Sequence, residues 1–327
     1  MRTWTRHGGA FGLALVCLAG GAWAHPLAPS LLELSEGGEG RTAMTWRTPR
    51  VRVAGSRLEP DIPSGCAVLG TPTHAVERGA HVTRWSLDCP DGLTGRRVAV
   101  RGLADSATDV VVRVVRADGR ASSRVLRGDT AAFVVPPTPS RFEPLRSYAS
   151  LGLGHIASGA DHLLFLLGLF LLVSGGRALV LTVTAFTAGH AITLGLAVLG
   201  VVSVPAAPVE VAIAASLMLL ALMLSRGERR RRAPLLFAGG FGLLHGLGFA
   251  GALSRAGLPE AQLPLALFAF HVGIEAGQIA FLAICAAGSA VLRRRAPRVA
   301  AFGPRAPAYA IGSLAAFWLI ERVASLW

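Results

Sequence analysis

No lysine occurs anywhere in the 327-residue chain, so each of its 32 basic side chains is an arginine. That excludes a P-loop lysine, a Schiff-base lysine and any other chemistry that needs an ε-amine, and no nucleotide is expected as a cofactor. Cysteine and methionine are scarce as well, four of each, and they form no cluster that would suit Cu(I). Charge is also sparse: 16% of residues are charged and 52% are hydrophobic, yet the formal net charge is +13. A mean hydropathy of +0.53 with 39 glycines points to a chain that buries its surface in a bilayer.

The arginines are placed by topology. Arg2 and Arg6 precede an apolar stretch from Ala10 to Ala19, and Ala22-Trp23-Ala24 stands just before His25. This pattern reads as a cleaved secretory signal over 1–24, too short in its apolar part to span a membrane. Six apolar segments follow a Pro-rich linker, at about 149–173, 178–201, 207–225, 234–253, 262–288 and 306–326. An exported N-terminal domain puts 174–177, 226–233 and 289–305 on the inside. These loops hold 11 of the 13 arginines after residue 147, as the positive-inside rule requires. The expectation is a six-helix protein of the bacterial inner membrane, over 148–327, with both mature termini in the periplasm. The basic excess then records orientation and contact with anionic lipid, and nucleic acid is not an expected partner.

Between the signal and the linker at 136–147, residues 25–135 read as a periplasmic β-rich domain. Runs at Thr42–Arg47, His81–Leu87, Arg97–Arg101, Val110–Val115, Arg120–Leu126 and Phe133–Val135 are broken by Gly, Pro and Asp, the pattern of a small antiparallel sandwich. Cys66 and Cys89 are expected to pair in this oxidising compartment, the alternative being two buried thiols.

Ionisable groups inside the apolar segments are the functional candidates, because each costs at least about 2.5–3.5 kcal/mol to insert. The first segment carries His155, Asp161 and His162; the others carry His190, Glu210, His245, and His271 with Glu275 and Gln278. On a straight helix His155 and His162 share a face but stand about 10.5 Å apart, so they read as successive stations for an ion. Asp161 is placed to accept the imidazole N–H that fixes a ligand tautomer. His271, Glu275 and Gln278 follow i, i+4, i+7 spacing as one polar stripe. His162, His190, His245 and Glu275 fall at mid-depth, with His155, Glu210 and His271 nearer the outside. Imidazole with carboxylate suits a divalent ion such as Ni, Co, Zn or Fe. Taken singly, each histidine reads as an interhelical hydrogen-bonder, Glu210 as a partner of its helix dipole and Cys285 as packing. Glycines flank the candidates, Gly152, Gly154 and Gly159 near His155 and Gly189 before His190, with Gly242, Gly246 and Gly248 around His245.

Four blocks carry a resemblance: Gly154-His155 through Asp161-His162, Phe186-Thr187-Ala188-Gly189-His190, Phe241-Gly242-Leu243-Leu244-His245-Gly246, and Gly273-Ile274-Glu275-Ala276-Gly277-Gln278. They resemble the HupE/UreJ membrane proteins, and the exported domain makes the chain similar to the longer, second branch of that family. The resemblance implies a secondary permease for nickel or cobalt that works without ATP, with His155, Asp161 and His162 as its metal-handling motif. Two other readings stand beside it. One is an intramembrane zinc enzyme, in which His162, His190 and His245 hold the ion and Glu275 activates water, with Ser158 or Ser216 as accessory groups. The other is a membrane-anchored metal sensor or chaperone, its ectodomain meeting a periplasmic metal-binding partner. In that reading the imidazole and free amine of His25 chelate Cu(II) or Ni(II), with His74 or His81 completing the site; alternatively His25 merely follows the cleavage point.

Overall fold

The computed structural model describes residues 29–49, 57–77, 80–106, 108–138, 142–227, 233–256, 263–295, 305–324 and 326. The expected signal, His25, and Arg229 to Arg232 with Arg298 lie outside the described residues. The chain divides into two compact units, one formed by Leu153–Gly248 and Ile274–Trp327, the other holding the strands, the chain up to Gly152 and Phe249–Gly273.

Among the described residues nine strands form the β part: β1 Ser30–Glu36, β2 Arg41–Pro49, β3 Glu59–Pro60, β4 Ala67–Glu77, β5 Ala80–Asp88, β6 Arg97–Arg101, β7 Val110–Val115, β8 Ala121–Leu126 and β9 Ala132–Val134. The larger sheet runs β4-β5-β2-β1-β7-β8 and the smaller β3-β6-β9. Alternation explains the sandwich. Leu32 and Leu34 of β1, Met44 and Trp46 of β2 and Val110, Val112 and Val114 of β7 turn inward, and Val98, Val100 and Phe133 of the small sheet join them in one core. Each such side chain contributes roughly 1.5–3 kcal/mol of burial. The domain departs from the expected all-antiparallel pattern, because β1 and β7 pair in parallel, Leu32 opposite Val112. Cys66 and Cys89 form a disulfide, and Cys89 is fully buried in the core.

The expected linker is shorter than its composition suggests. Arg116 donates from Nη1 to the Pro137 carbonyl at 2.6 Å and from Nη2 to that of Pro136, which fixes the chain to the sheet. Helix α1, Glu143–Ser158, then starts inside the stretch read as linker. Pro144 fits this start, since a first-turn residue has no intrahelical partner for its N–H. The opening turns of α1 lie along β8: Ser147 Oγ donates to the Ser123 carbonyl at 2.8 Å, and Arg127, just past the strand, donates to that of Ser150 at 2.7 Å.

The other helices are α2 Ala160–Leu172, α3 Gly176–Val198, α4 Ala206–Ser225, α5 Ala233–Ala256, α6 Leu263–Arg295 and α7 Arg305–Ala324. Among the described residues α3, α4 and α6 are long and apolar enough to cross a membrane, and α1 with α2 makes a fourth crossing if that pair, bent by 75°, is one span. These helices form a membrane domain joined to a β domain. The first apolar segment is not one straight helix, since it breaks between Ser158 and Ala160. Within the helical unit α4 packs against α7 and α2, with Leu220 lying over Gly168, and Arg322 donates to the Glu210 carbonyl at 2.8 Å. The start of α4 therefore lies beside the end of α7.

Candidate metal centre

Gly159 is where the site is made. The 75° turn there folds α2 back, so His155 and His162 do not stand about 10.5 Å apart as they would on a straight helix; their ring centroids are 4.7 Å apart. A Cβ at Gly159 would lie 2.5 Å from His162 Nδ1 and 3.1 Å from the His155 carbonyl, so the turn is close enough to require glycine there. The successive stations expected from the sequence thus become neighbours. His190 of α3 completes the group, 5.9 Å from His155 and 6.4 Å from His162 between centroids.

All three rings are buried, and each offers a nitrogen within 4.8 Å of the others. Two nitrogens on a tetrahedral ion, with bonds of about 2.1 Å, are roughly 3.4 Å apart, so a closing of at most about 1.4 Å makes one shared site. The tautomer of His162 follows from its surroundings. Asp161 Oδ1 already accepts the His162 backbone N–H at 2.9 Å and lies 3.0 Å from His162 Nδ1, so Nδ1 carries the hydrogen and Nε2 the lone pair. His162 Nε2 is buried and makes no hydrogen bond among the described residues. Asp161 is fully buried, in the first turn of α2, where the helix dipole favours its charge. It supplies negative charge behind a ligand that would face a cation.

His245 of α5 belongs to the same cluster at one remove. Its ring is 4.9 Å from that of His162, and its Nδ1 donates to the Phe241 carbonyl at 3.1 Å, which leaves Nε2 as the lone-pair atom. The glycines explain how α5 comes so near α3. A Cβ at Gly242 would strike the Phe186 carbonyl and lie 3.0 Å from the His190 nitrogen, and one at Gly246 would strike Thr193 and the His190 carbonyl. Backbone meets backbone there, and the side chains on both helices are drawn together.

The remaining candidates fall elsewhere. Glu275 accepts from Thr184 at 2.6 Å and from Thr187 at 2.5 Å, and Thr187 Oγ1 also lies 2.9 Å from Gln278 Oε1. This oxygen-rich cluster lies between α3 and α6 and is not in the three-histidine group. Thr184 and Thr187 were not candidates from the sequence, although Thr187 stands three residues before His190 on the same helix face. Glu210 lies beside Arg322, its carboxylate 4.0 Å from Nε and its backbone carbonyl accepting from Nη1 at 2.8 Å. His271 sits in the other unit and donates from Nδ1 to the Leu267 carbonyl at 2.7 Å. Ser158 and Ser216 donate their hydroxyls to the carbonyls of Gly154 and Ile213. Cys285 is a free, half-buried thiol.

The family model of the HupE / UreJ protein matches residues 134–322, more than half of the chain. The chain belongs to the HupE/UreJ family. The match covers every block that carried the resemblance and all four clustered histidines, and it ends two residues short of the α7 terminus. No curated protein matches the chain. The HupE/UreJ match begins in β9, so the sandwich lies almost wholly in front of it.

Proposed function

We propose that the protein is a secondary, ATP-independent permease for a transition-metal ion, with nickel or cobalt favoured over zinc, iron and copper, in the bacterial inner membrane. The observation that carries this reading is the buried group His155, His162 and His190, whose ligand nitrogens lie within 4.8 Å of one another. The family is associated with nickel and cobalt transport, and borderline divalent ions take imidazole ligands. In this reading the chain crosses the membrane six times, with the sandwich and the C-terminus in the periplasm, and the ion enters from the periplasmic side.

Neutral imidazoles fit a transport site better than thiolates would, since they release an ion without first taking up protons at neutral pH. The zinc-enzyme reading assigns Glu275 to activate a metal-bound water. Asp161 is bound to His162, and Glu275 accepts from Thr184 and Thr187, which favours transport over hydrolysis.

The test is metal analysis of the purified protein with uptake of radiolabelled nickel, cobalt, zinc and copper into proteoliposomes without ATP. Wild type is expected to load and pass nickel or cobalt, His162→Ala to do neither, and Glu275→Gln to keep the load with reduced flux. Flux that survives His162→Ala defeats the site. Tight binding with no flux in wild type points to an enzyme or a sensor.

A further inference from the structure

Phe165, Phe186 and Phe241 pack against the histidine cluster, and Phe237 packs on two of them. Phe165 of α2 stacks on Phe241 of α5 with centroids 4.6 Å apart and lies 5.2 Å from Phe186 of α3. Phe237 closes the group, 4.4 Å from Phe241 and 6.4 Å from Phe165. Phe165 and Phe186 are fully buried. Chain direction fixes the side on which they lie. Phe165 follows His162 toward the end of α2 at Leu172, Phe186 precedes His190 nearer the start of α3 at Gly176, and Phe237 and Phe241 precede His245 nearer the start of α5. All four therefore lie toward the ends Leu172, Gly176 and Ala233, one to two turns from the imidazoles.

His245 meets both groups most closely. It is 4.9 Å from His162, 5.3 Å from Phe186 and 5.8 Å from Phe241, centroid to centroid, while His162 and His190 lie 6.0 and 6.2 Å from Phe186. The Phe241 carbonyl that holds His245 Nδ1 belongs to one of the rings of the seal, so ligand and ring move with one segment of α5.

We infer that Phe165, Phe186, Phe237 and Phe241 are the closed gate of this transport site, and that His245 is the ligand that takes the ion from His162 when the gate parts. The inference rests on the transport reading and adds to it which side of the site is shut. A stacked apolar layer with no polar side chain offers a divalent ion nothing to replace its water, and such constrictions gate by excluding water. Opening requires α5 to shift against α3. The contact between them is backbone on backbone at Gly242, where the Phe186 carbonyl comes close, and Thr193 Oγ1 donates across it to the Leu243 carbonyl at 2.7 Å, so the shift has to break that hydrogen bond. The three-histidine group is built on α1, α2 and α3 and stays in place during such a movement.

The test is labelling of His162, located by peptide mass, by a membrane-impermeant imidazole-directed reagent in sealed vesicles, supplied from the side where α2 ends and α3 begins. Metal loading at equilibrium and metal flux in proteoliposomes are measured on the same proteins. In wild type His162 is protected from that side. In Phe165→Ala with Phe241→Ala, loading is kept, His162 reacts about tenfold faster and downhill flux rises, the effect of removing two rings from a stacked layer. Phe237→Ala, at the half-buried edge of the cluster, gives the same change to a smaller extent and serves if the double variant loses its load. Reaction of His162 at the wild-type rate in a variant that still loads metal overturns the gate, and so does a wild type already reactive from that side. A wild type that loads metal, is protected and passes none defeats the transport reading on separate grounds, because labelling does not depend on flux.

Discussion

In the sandwich, Leu32, Leu34, Met44 and Val112 are fully buried, while Arg84 and Glu77 pair at the surface at 2.8 Å, as in any water-soluble domain. In the helical unit Asp161, His162 and His190 are buried, and Leu236, Ile284 and Ile320 are about 70% exposed or more on average. The two regions obey one rule in two solvents. Apolar surface is hidden where the surroundings are water and shown where they are hydrocarbon. What differs is the role of a buried polar atom. The sandwich buries few, mostly hydroxyls within strands, and its stability comes from carbon. The helical unit buries imidazole and carboxylate together, at a cost that stability alone does not explain.

The comparison can be broken from either side. Replacing Cys66 and Cys89 by Ser removes a crosslink that closes a loop with a sequence separation of 23. In the chain-entropy model this costs the sandwich about 3 kcal/mol. The expected outcome is a lower unfolding midpoint for the sandwich, seen by hydrogen exchange in β2 and β5, with metal loading of the histidines unchanged. Loss of loading at a temperature where the helices are intact would show that the two regions are not separable in this way.

Gly159→Ala attacks the other side. The new methyl has to displace the His162 ring or the His155 carbonyl, and overpacking of this kind costs roughly 1–3 kcal/mol. A weakening of metal binding of about tenfold or more is expected, measured by equilibrium dialysis, with no change in exchange of the sandwich amides. Affinity equal to wild type would mean that the turn at Gly159 does not set the ligand geometry.

These two variants also mark what could be read from the chain itself. Strands β6 and β7 fall where their β-branched runs place them, because those runs are buried on both faces, Val98, Ala99 and Val100 in one and Val110, Val111 and Val112 in the other. Strand β4 is invisible to that pattern, since it is an edge strand whose side chains are largely exposed, and its register slips between Leu69 and Thr73. The parallel pairing of β1 with β7 depends on which distant strand comes to lie beside β1, and neither strand alone encodes that. The histidines and Asp161 stood out at once, because ionisable groups in apolar runs are conspicuous. Their geometry did not. The apolar run reads as a straight helix through Gly159, and one glycine among several in that stretch gives no local sign that it is the one where the chain turns. The threonines that hold Glu275 were missed for a related reason: a hydroxyl in an apolar helix satisfies itself on its own backbone, and only the fold shows that Thr184 and Thr187 face α6.

The smallest effect tests the sandwich as a water-soluble domain. Asp109 has its carboxyl pushed above the usual aspartate range by burial, partly offset by Arg127 at 3.3 Å, with Asp129 adding to the rise. An acid whose folded pKa is raised binds its proton more tightly when folded, so its contribution to stability is greatest at low pH and is lost as pH rises from the unfolded value through the folded one. Asp109→Asn keeps the shape and removes the titration. Exchange protection of β7 should then decline less across that acid range than in wild type, with a residual slope from Glu143, which burial pushes the same way against the opposing charge of Arg124. A slope unchanged by the substitution would mean that Arg127 compensates the buried carboxylate fully. The sandwich would then tolerate a buried charge as the helical unit does, by supplying it with a counter-charge.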